Sequence, residues 1–286
     1  MTTGTPNAAS GQPDIPPPSP DDVLFEPKEG GWGLITLNRP VVLNAVNWSI
    51  LRRLRDALEK AEADPKVKAV VLTGAGRAFC AGGDMQSTPP GDDLPTPSGL
   101  DVCMTIWTMP KPVIAAVHGY AVGQGCEIAG VCDLTIAAEG TKLGEIQIRH
   151  GFGPPVLIAP FLLGLKHAKE LLLLGETIDA EEAMRMGLVN RVVPADRLMA
   201  EAETMARKLA GLPEHAVRLN KAVINRVHEV AGFRQALDYR SDPVIQGLQQ
   251  RGAGAEQLNE HLKVLRERGW DAFRDSRDAL YRGTSE

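Results

Sequence analysis

Residues 118–133 read His-Gly-Tyr-Ala-Val-Gly-Gln-Gly-Cys-Glu-Ile-Ala-Gly-Val-Cys-Asp, and this stretch limits the chain more than any other. The apolar run Pro112 to Val117 enters it and predicts a buried strand. Glycines at 119, 123 and 125 let the backbone turn sharply and approach something closely. Ile128, Ala129, Val131 and Cys132 then give a short helix an apolar flank. A strand, a glycine turn and a helix start leave backbone N–H groups free at one place, which suits a developing negative charge. Glu127 falls in the first turn of that helix.

A second stretch has the same form. Lys68 to Thr73 predicts a strand whose Val70-Val71-Leu72 core is apolar on both faces. Gly74-Ala75-Gly76-Arg77-Ala78-Phe79-Cys80-Ala81-Gly82-Gly83-Asp84 follows it. Elsewhere the pattern predicts strands at Trp32–Leu37, Leu134–Ala138, Leu143–Ile148 and Leu188–Val193. Helices are expected after an Asn47 or Ser49 cap, at Leu100–Met109, Val156–Leu165, Ala168–Leu174 and Ala180–Met186. From Ala195 onward only helices are expected, at Ala195–Ala210, Glu214–Val230 and Glu256–Arg268. Residues 1–22, rich in Pro, Gly, Ser and Thr, predict a disordered or loosely draped arm. Residues 23–194 form an α/β core, and residues 195–286 a helical region. Gln86 to Ser98 is expected to be a loop long enough to cover a site.

A net charge of −5 argues against a nucleic-acid footprint or a broad anionic-membrane patch. No apolar run reaches a membrane span, and the N-terminus carries no signal-peptide pattern. Cys80, Cys103, Cys126 and Cys132 lack zinc-type spacing and read as reduced, mostly buried thiols of a cytoplasmic protein. No His/Asp/Glu cluster has metal spacing, so no metal is expected. There is no Gly-x-Ser-x-Gly elbow and no P-loop, and Gly123-Gln124-Gly125 lacks the third glycine of a dinucleotide fingerprint. His118 reads as structural, and His150 as a packed or surface side chain.

The two turns, with Leu37-Asn38-Arg39-Pro40, Leu43-Asn44-Ala45, Ala180-Glu181-Glu182-Ala183 and Gly187-Leu188-Val189-Asn190, form a specific combination. On these motifs the chain resembles the enoyl-CoA hydratase/isomerase, or crotonase, superfamily. The resemblance implies a spiral of strand-strand-helix turns with a C-terminal helical region that builds homo-trimers or hexamers. It implies an acyl-CoA thioester as substrate, with coenzyme A part of that substrate and no separate cofactor. It assigns the two donors of an oxyanion hole to the N–H groups of Ala81 and Gln124. Glu127 becomes the main acid–base. Ala78, Ala81, Gly82, Gly83, Asp84 and Gly125 are assigned to substrate binding.

Two departures stand out. Family hydratases carry a second glutamate in a Phe-Gly-x-Pro-Glu segment. Here the segment is Leu143-Gly144-Glu145-Ile146-Gln147, and the ungapped register puts Gln147 at that position. A glutamine amide cannot cycle a proton near neutral pH. A two-residue shift puts Glu145 there instead, and on a strand both would share one face. The leading expectation is an enoyl-CoA hydratase. The alternatives are an isomerase or thioester hydrolase using Glu127 alone, or a weakly active acyl-CoA-binding scaffold. The second departure is Val41, where the family commonly has a polar residue near the CoA phosphates. Lys28, Arg39 or the tail Trp270-Asp271-Ala272-Phe273-Arg274 of a neighbouring subunit are the candidate substitutes.

Overall fold

The computed structural model describes residues 17–85, 87, 96–251 and 254–281. In chain order the elements are β1 Val23–Lys28, β2 Trp32–Leu37, α1 Trp48–Ala63, β3 Ala69–Gly74, α2 Gly99–Thr108, β4 Val113–Val117, β5 Tyr120–Val122 and α3 Gln124–Val131. There follow β6 Leu134–Ala138, β7 Lys142–Gly144, α4 Ala159–Leu162, α5 Leu165–Leu174, β8 Ile178–Asp179, α6 Ala180–Met186 and β9 Arg191–Val193. Helices α7 Leu198–Gly211, α8 Glu214–Val230, α9 Phe233–Leu237, α10 Pro243–Arg251 and α11 Gly254–Arg277 complete the chain.

The strands build two sheets. The larger has the order β1-β2-β3-β4-β6-β9, and the smaller β5-β7-β8. β1 is antiparallel to β2, and the other pairs of the large sheet are parallel. Parallel strands need crossovers, so both faces become covered and both sides of a strand are apolar. In β4, Val113, Ala115 and Val117 join the main core, while Ile114 and Ala116 face a second cluster with Leu198, Ala202 and Ala206 of α7. That i, i+4, i+8 spacing places one stripe of α7 on the sheet. Asn47 caps α1, its Oδ1 accepting from Ile50 N–H at 2.9 Å, which is worth about 1 kcal/mol.

The path between the sheets positions the site. β4 ends at Val117, and the chain crosses through His118 and Gly119 into β5 of the smaller sheet. Gly119 has φ +63, and a Cβ there would stand 2.0 Å from Arg77 O, so only glycine fits. After α3 the chain returns to the large sheet as β6, beside β4.

Several expectations are corrected. Order begins before Val23: Ser19 caps a 3-10 turn at Pro20–Asp22, and Asp22 is buried. Residues 1–16 of the expected arm lie outside the described residues. So do 86 and 88–95 of the expected covering loop, while Ser98 forms a capping box with Asp101 at the start of α2. The strand expected at Leu143–Ile148 stops at Gly144. Ile146 has ψ 7, and Gln147–His150 curls into a 3-10 turn closed by Gly151 at φ +81. The helix expected over Val156–Leu165 shrinks to Ala159–Leu162, after Gly153-Pro154-Pro155. The strand expected at Leu188–Val193 keeps only Arg191–Val193. The last expected helix extends over Gly254–Arg277 and kinks at Gly269, φ +81.

Candidate active site

The two glycine turns are stitched together by main chain. Phe79 N–H donates to His118 O at 2.8 Å, Cys80 N–H to Tyr120 O at 2.9 Å, and Val122 N–H to Cys80 O at 3.1 Å. Gly82, at φ +94, comes so close that a Cβ on it would sit 3.0 Å from Val122 O. The first turn is also anchored to residues 43–46. Ala81 N–H donates to Leu43 O, Val46 N–H to Gly82 O, and Asp84 N–H to Val46 O. In such a parallel bridge both bonds engage Val46, so the N–H of the bridged residue Gly83 faces the other way. Among the described residues nothing accepts from Gly83 N–H. A Cβ on Gly83 would meet nothing within 4 Å.

In the second turn, Gly123 adopts φ +53 and receives Cys126 and Glu127 N–H on its carbonyl. Gln124 opens α3, so its N–H has no intrahelical acceptor. The only described non-glycine residues with positive φ are Leu43 and Asn44, so glutamine is unstrained at 124. Its side chain lies on Gly99 at the start of α2, where a Cβ would overlap Nε2 at 1.8 Å.

Glu127 is 0% exposed. Its Oε1 accepts Val156 N–H at 2.8 Å and Gln147 Nε2 at 3.2 Å. Gln147 Nε2 also donates to Glu145 Oε2 at 2.8 Å. One amide therefore bridges two buried carboxyl groups. Burial, and then the neighbouring Glu127 charge, hold Glu145 well above the usual carboxylate range. Gly123 packs beside the same amide, since a Cβ there would stand 3.8 Å from Gln147 Nε2. Glu127, Glu145 and Gln147 are thus one cluster directly under the second turn. The turn 147–150 is buttressed by the chain's end: Arg149 pairs with Asp278 at 2.9 Å and stacks under Tyr281, while His150 stacks on Phe273.

Several residues sit differently from expectation. Ala81 N–H is committed to Leu43 O at 3.0 Å, which removes it as a free donor; two residues on, Gly83 carries a free N–H. Glu145 and Gln147 meet through a 3-10 turn and not across one strand face. Asp84 pairs with Arg39 at 3.1 Å, and the two side chains are 8% and 2% exposed. That pair braces the first turn and takes Arg39 out of reach as a phosphate partner. Lys28 pairs with Glu26 at the surface, and Phe273 is packed inside its own chain. Ala78 and Gly125 are buried in the turns, and a Cβ on Gly125 would stand 2.5 Å from Cys80 O. Burial pushes Cys80 up to about 12 and Cys126 well above the ordinary thiol range, so neither is a thiolate nucleophile. His118 bonds to Gly76 O at 3.1 Å and steadies the first turn. Sequence reasoning missed Val156, whose N–H fixes Glu127; a backbone donor leaves no side-chain signal. It also missed Tyr239, which donates to Pro154 O at 2.6 Å and pins the loop that carries Val156.

The sequence profile of the family described as enoyl-CoA hydratase/isomerase matches residues 28–261. The chain is 39% identical over 202 residues to a probable enoyl-CoA hydratase (echA8) of Mycobacterium tuberculosis, covering 69% of this chain and 79% of that protein. It is 38% identical over 214 residues to a crotonyl-CoA hydratase of Syntrophomonas wolfei, covering 72% and 82%. A crystal structure of an enoyl-CoA hydratase/isomerase from Xanthobacter autotrophicus superposes with TM-score 0.81 at 38% identity, over 91% of this chain and 98% of that one. A monofunctional enoyl-CoA isomerase from M. smegmatis superposes with TM-score 0.60 at 30% identity, over 77% and 95%.

Proposed function

The chain belongs to the enoyl-CoA hydratase/isomerase family, and on that premise we propose that it adds water to, or removes it from, a 2,3-enoyl-CoA thioester with Glu127 as the one exchanging acid–base. One observation carries this reading: a buried carboxylate, held by Val156 N–H, stands three residues after the free N–H of Gln124. The N–H of Gly83, from the other turn, is the second donor to the thioester oxygen. Two such donors stabilise the enolate charge, and losing one costs on the order of 3 kcal/mol of barrier.

The step balances with one carboxylate. Glu127 takes a proton from water as the water oxygen bonds to the β-carbon. The double-bond electrons move onto the thioester oxygen, where the two N–H groups receive the charge. The enolate collapses as its α-carbon takes the same proton back from Glu127. Nothing beyond the CoA of the substrate is required. The test is turnover of a short panel of enoyl-CoA thioesters, read as loss of the conjugated enoyl absorbance. Failure to hydrate any of them overturns the reading.

One feature favours a second reading. Gln147 cannot exchange a proton, and Glu127 alone suffices to move a proton from one allylic carbon to another. Isomerisation of a 3-enoyl-CoA without hydration would assign that reaction instead. Among the described residues no helix is long and apolar enough to cross a membrane. Leu219, Val223, Val227 and Val230 form an exposed stripe along α8, a surface for further copies of the chain in a trimer or hexamer. Light scattering checks the assembly, and a monomer would refute it. Four buried free thiols suit a cytoplasmic setting.

A further inference from the structure

The cluster beneath the second turn contains a carboxyl group that the one-base reaction leaves idle. Glu145 is 2% exposed, in contact with the Gln147 amide on one side and hydrogen-bonded to the Cys126 thiol on another. Burying a carboxyl group costs stability, so an idle one calls for a reason.

The Gln147 side chain supplies it. Its amide nitrogen donates to two carboxyl oxygens, of Glu127 and Glu145. The opposite flip would set its carbonyl oxygen against the Glu127 carboxylate, which repels it. With the nitrogen so engaged, the carbonyl oxygen Oε1 is left buried with no hydrogen-bond partner among the described residues. A buried acceptor without a donor is costly unless a ligand supplies one. This acceptor belongs to a side chain packed on Gly123, next to the Gln124 donor.

We propose that Glu145 is a positioning residue whose carboxyl group anchors the Gln147 amide, so that Gln147 Oε1 accepts a hydrogen bond from the attacking water or from the β-hydroxyl of the product. The proposal rests on the hydratase reading above and names how that site holds the hydroxyl. Glu145 exchanges no proton in it. The groups facing Glu145 are Glu127 and Cys126 on α3 and Gln147 on its own turn; burial and the Glu127 charge favour its neutral form. The neutral acid accepts from Gln147 Nε2 without adding a second anion to the site. Thus the proton inventory stays with Glu127, and the orientation of the hydroxyl passes to a neutral pair.

The test compares Glu145→Gln with Glu145→Ala. Glutamine keeps an acceptor for the Gln147 amide and cannot donate a catalytic proton. With crotonyl-CoA, E145Q is expected to retain kcat within about threefold of the parent, with its pH profile unchanged. E145A is expected to lose about 10–100-fold in kcat, the scale of a misplaced reacting group, with KM little altered. Calorimetry on 3-hydroxybutyryl-CoA and butyryl-CoA gives a second readout. The parent and E145Q should bind the hydroxylated thioester about tenfold more tightly, the scale of one well-made hydrogen bond. E145A should bind the two alike.

A loss in E145Q equal to that in E145A would make Glu145 a proton-transfer group and overturn the proposal. So would unchanged kcat and unchanged discrimination in E145A. If the parent binds neither thioester, the hydratase reading falls and this proposal with it. If the parent hydrates crotonyl-CoA yet does not discriminate the hydroxyl, only this proposal falls.

Discussion

The turn that ends at Asp84 adds braces from distant side chains to its main-chain bonds, whereas the turn that ends at Glu127 is braced by main chain. In the first, Asn44 Nδ2 donates to Ala75 O and Ala78 O at 2.9 and 2.7 Å, and its Oδ1 accepts Arg39 N–H at 2.8 Å. Arg39 adds the buried pair with Asp84. In the second, Gly123 N–H donates to Gly144 O at 2.7 Å, and α3 closes on the Gly123 carbonyl. The two turns nonetheless each present a free N–H, that of Gly83 and that of Gln124. The proposed donors and the proposed base therefore have separate supports. The proposed base, Glu127, rides on a helix start tied into a sheet, and Gly83 is held by main-chain bonds to Val46 together with a few distant side chains.

The largest break in that comparison comes from the second turn. Glu127→Gln keeps the shape and removes the exchanging proton, so kcat should fall on the order of 10²–10⁴-fold. KM should change little, as steady-state kinetics would read. An unchanged kcat would take the chemistry away from α3.

Next comes the brace of the first turn. Asn44→Ala strands one buried and one half-buried carbonyl and one N–H and should cost on the order of 3 kcal/mol of stability, measured by denaturant unfolding. Catalysis should fall with it, because Gly83 loses its support. A variant of undiminished stability would mean that the main-chain bonds to residues 43–46 hold the turn alone.

The third prediction concerns the chain's end, which supports the Gln147 turn. Burial is the main cause that brings His150 down to about 4, with Arg277, His261 and Arg149 also opposing its charge and Asp278 favouring it. The folded state disfavours the protonated ring. Its stability should therefore hold above pH 6.5, decline as pH falls from 6.5 toward 4, and level off below, by about 3 kcal/mol in all. His150→Phe should flatten that part of the Tm–pH curve. An unaltered curve would remove His150 as its source.

The smallest effect sharpens the account of the base. Tyr239→Phe removes one hydrogen bond to Pro154 O and should cost about 1 kcal/mol. It should also lower kcat modestly by loosening the loop that carries Val156. A loss of stability with kcat untouched would separate Tyr239 from Glu127.

Much of this fold was legible because burial on both faces leaves a plain mark. The runs Ala69–Leu72 and Val113–Val117 are apolar throughout, and the glycines after them sit where positive φ or close approach demands them, as at 119 and 123. The 145–150 segment misled for a physical reason. Leu143, Glu145 and Gln147 alternate like a strand, but the turn is set by Ile146 and closed by Gly151, which periodicity does not register. The expected donor of the first turn, Ala81 N–H, is committed, and the free N–H lies two residues on at Gly83; the two N–H groups look alike in sequence. Only the pairing of Val46 with Gly82 and Asp84 decides which one is free. The Asn44 and Tyr239 braces span dozens of residues along the chain, so no local pattern announces them.

The most direct measurement is a crystal structure of the chain with acetoacetyl-CoA bound. The account predicts the thioester oxygen about 3 Å from the main-chain nitrogens of Gly83 and Gln124, with Ala81 N–H still on Leu43 O and the Glu127 carboxylate beside the acyl carbons. An oxygen lodged elsewhere, or seated on Ala81 after that bond has broken, would contradict it.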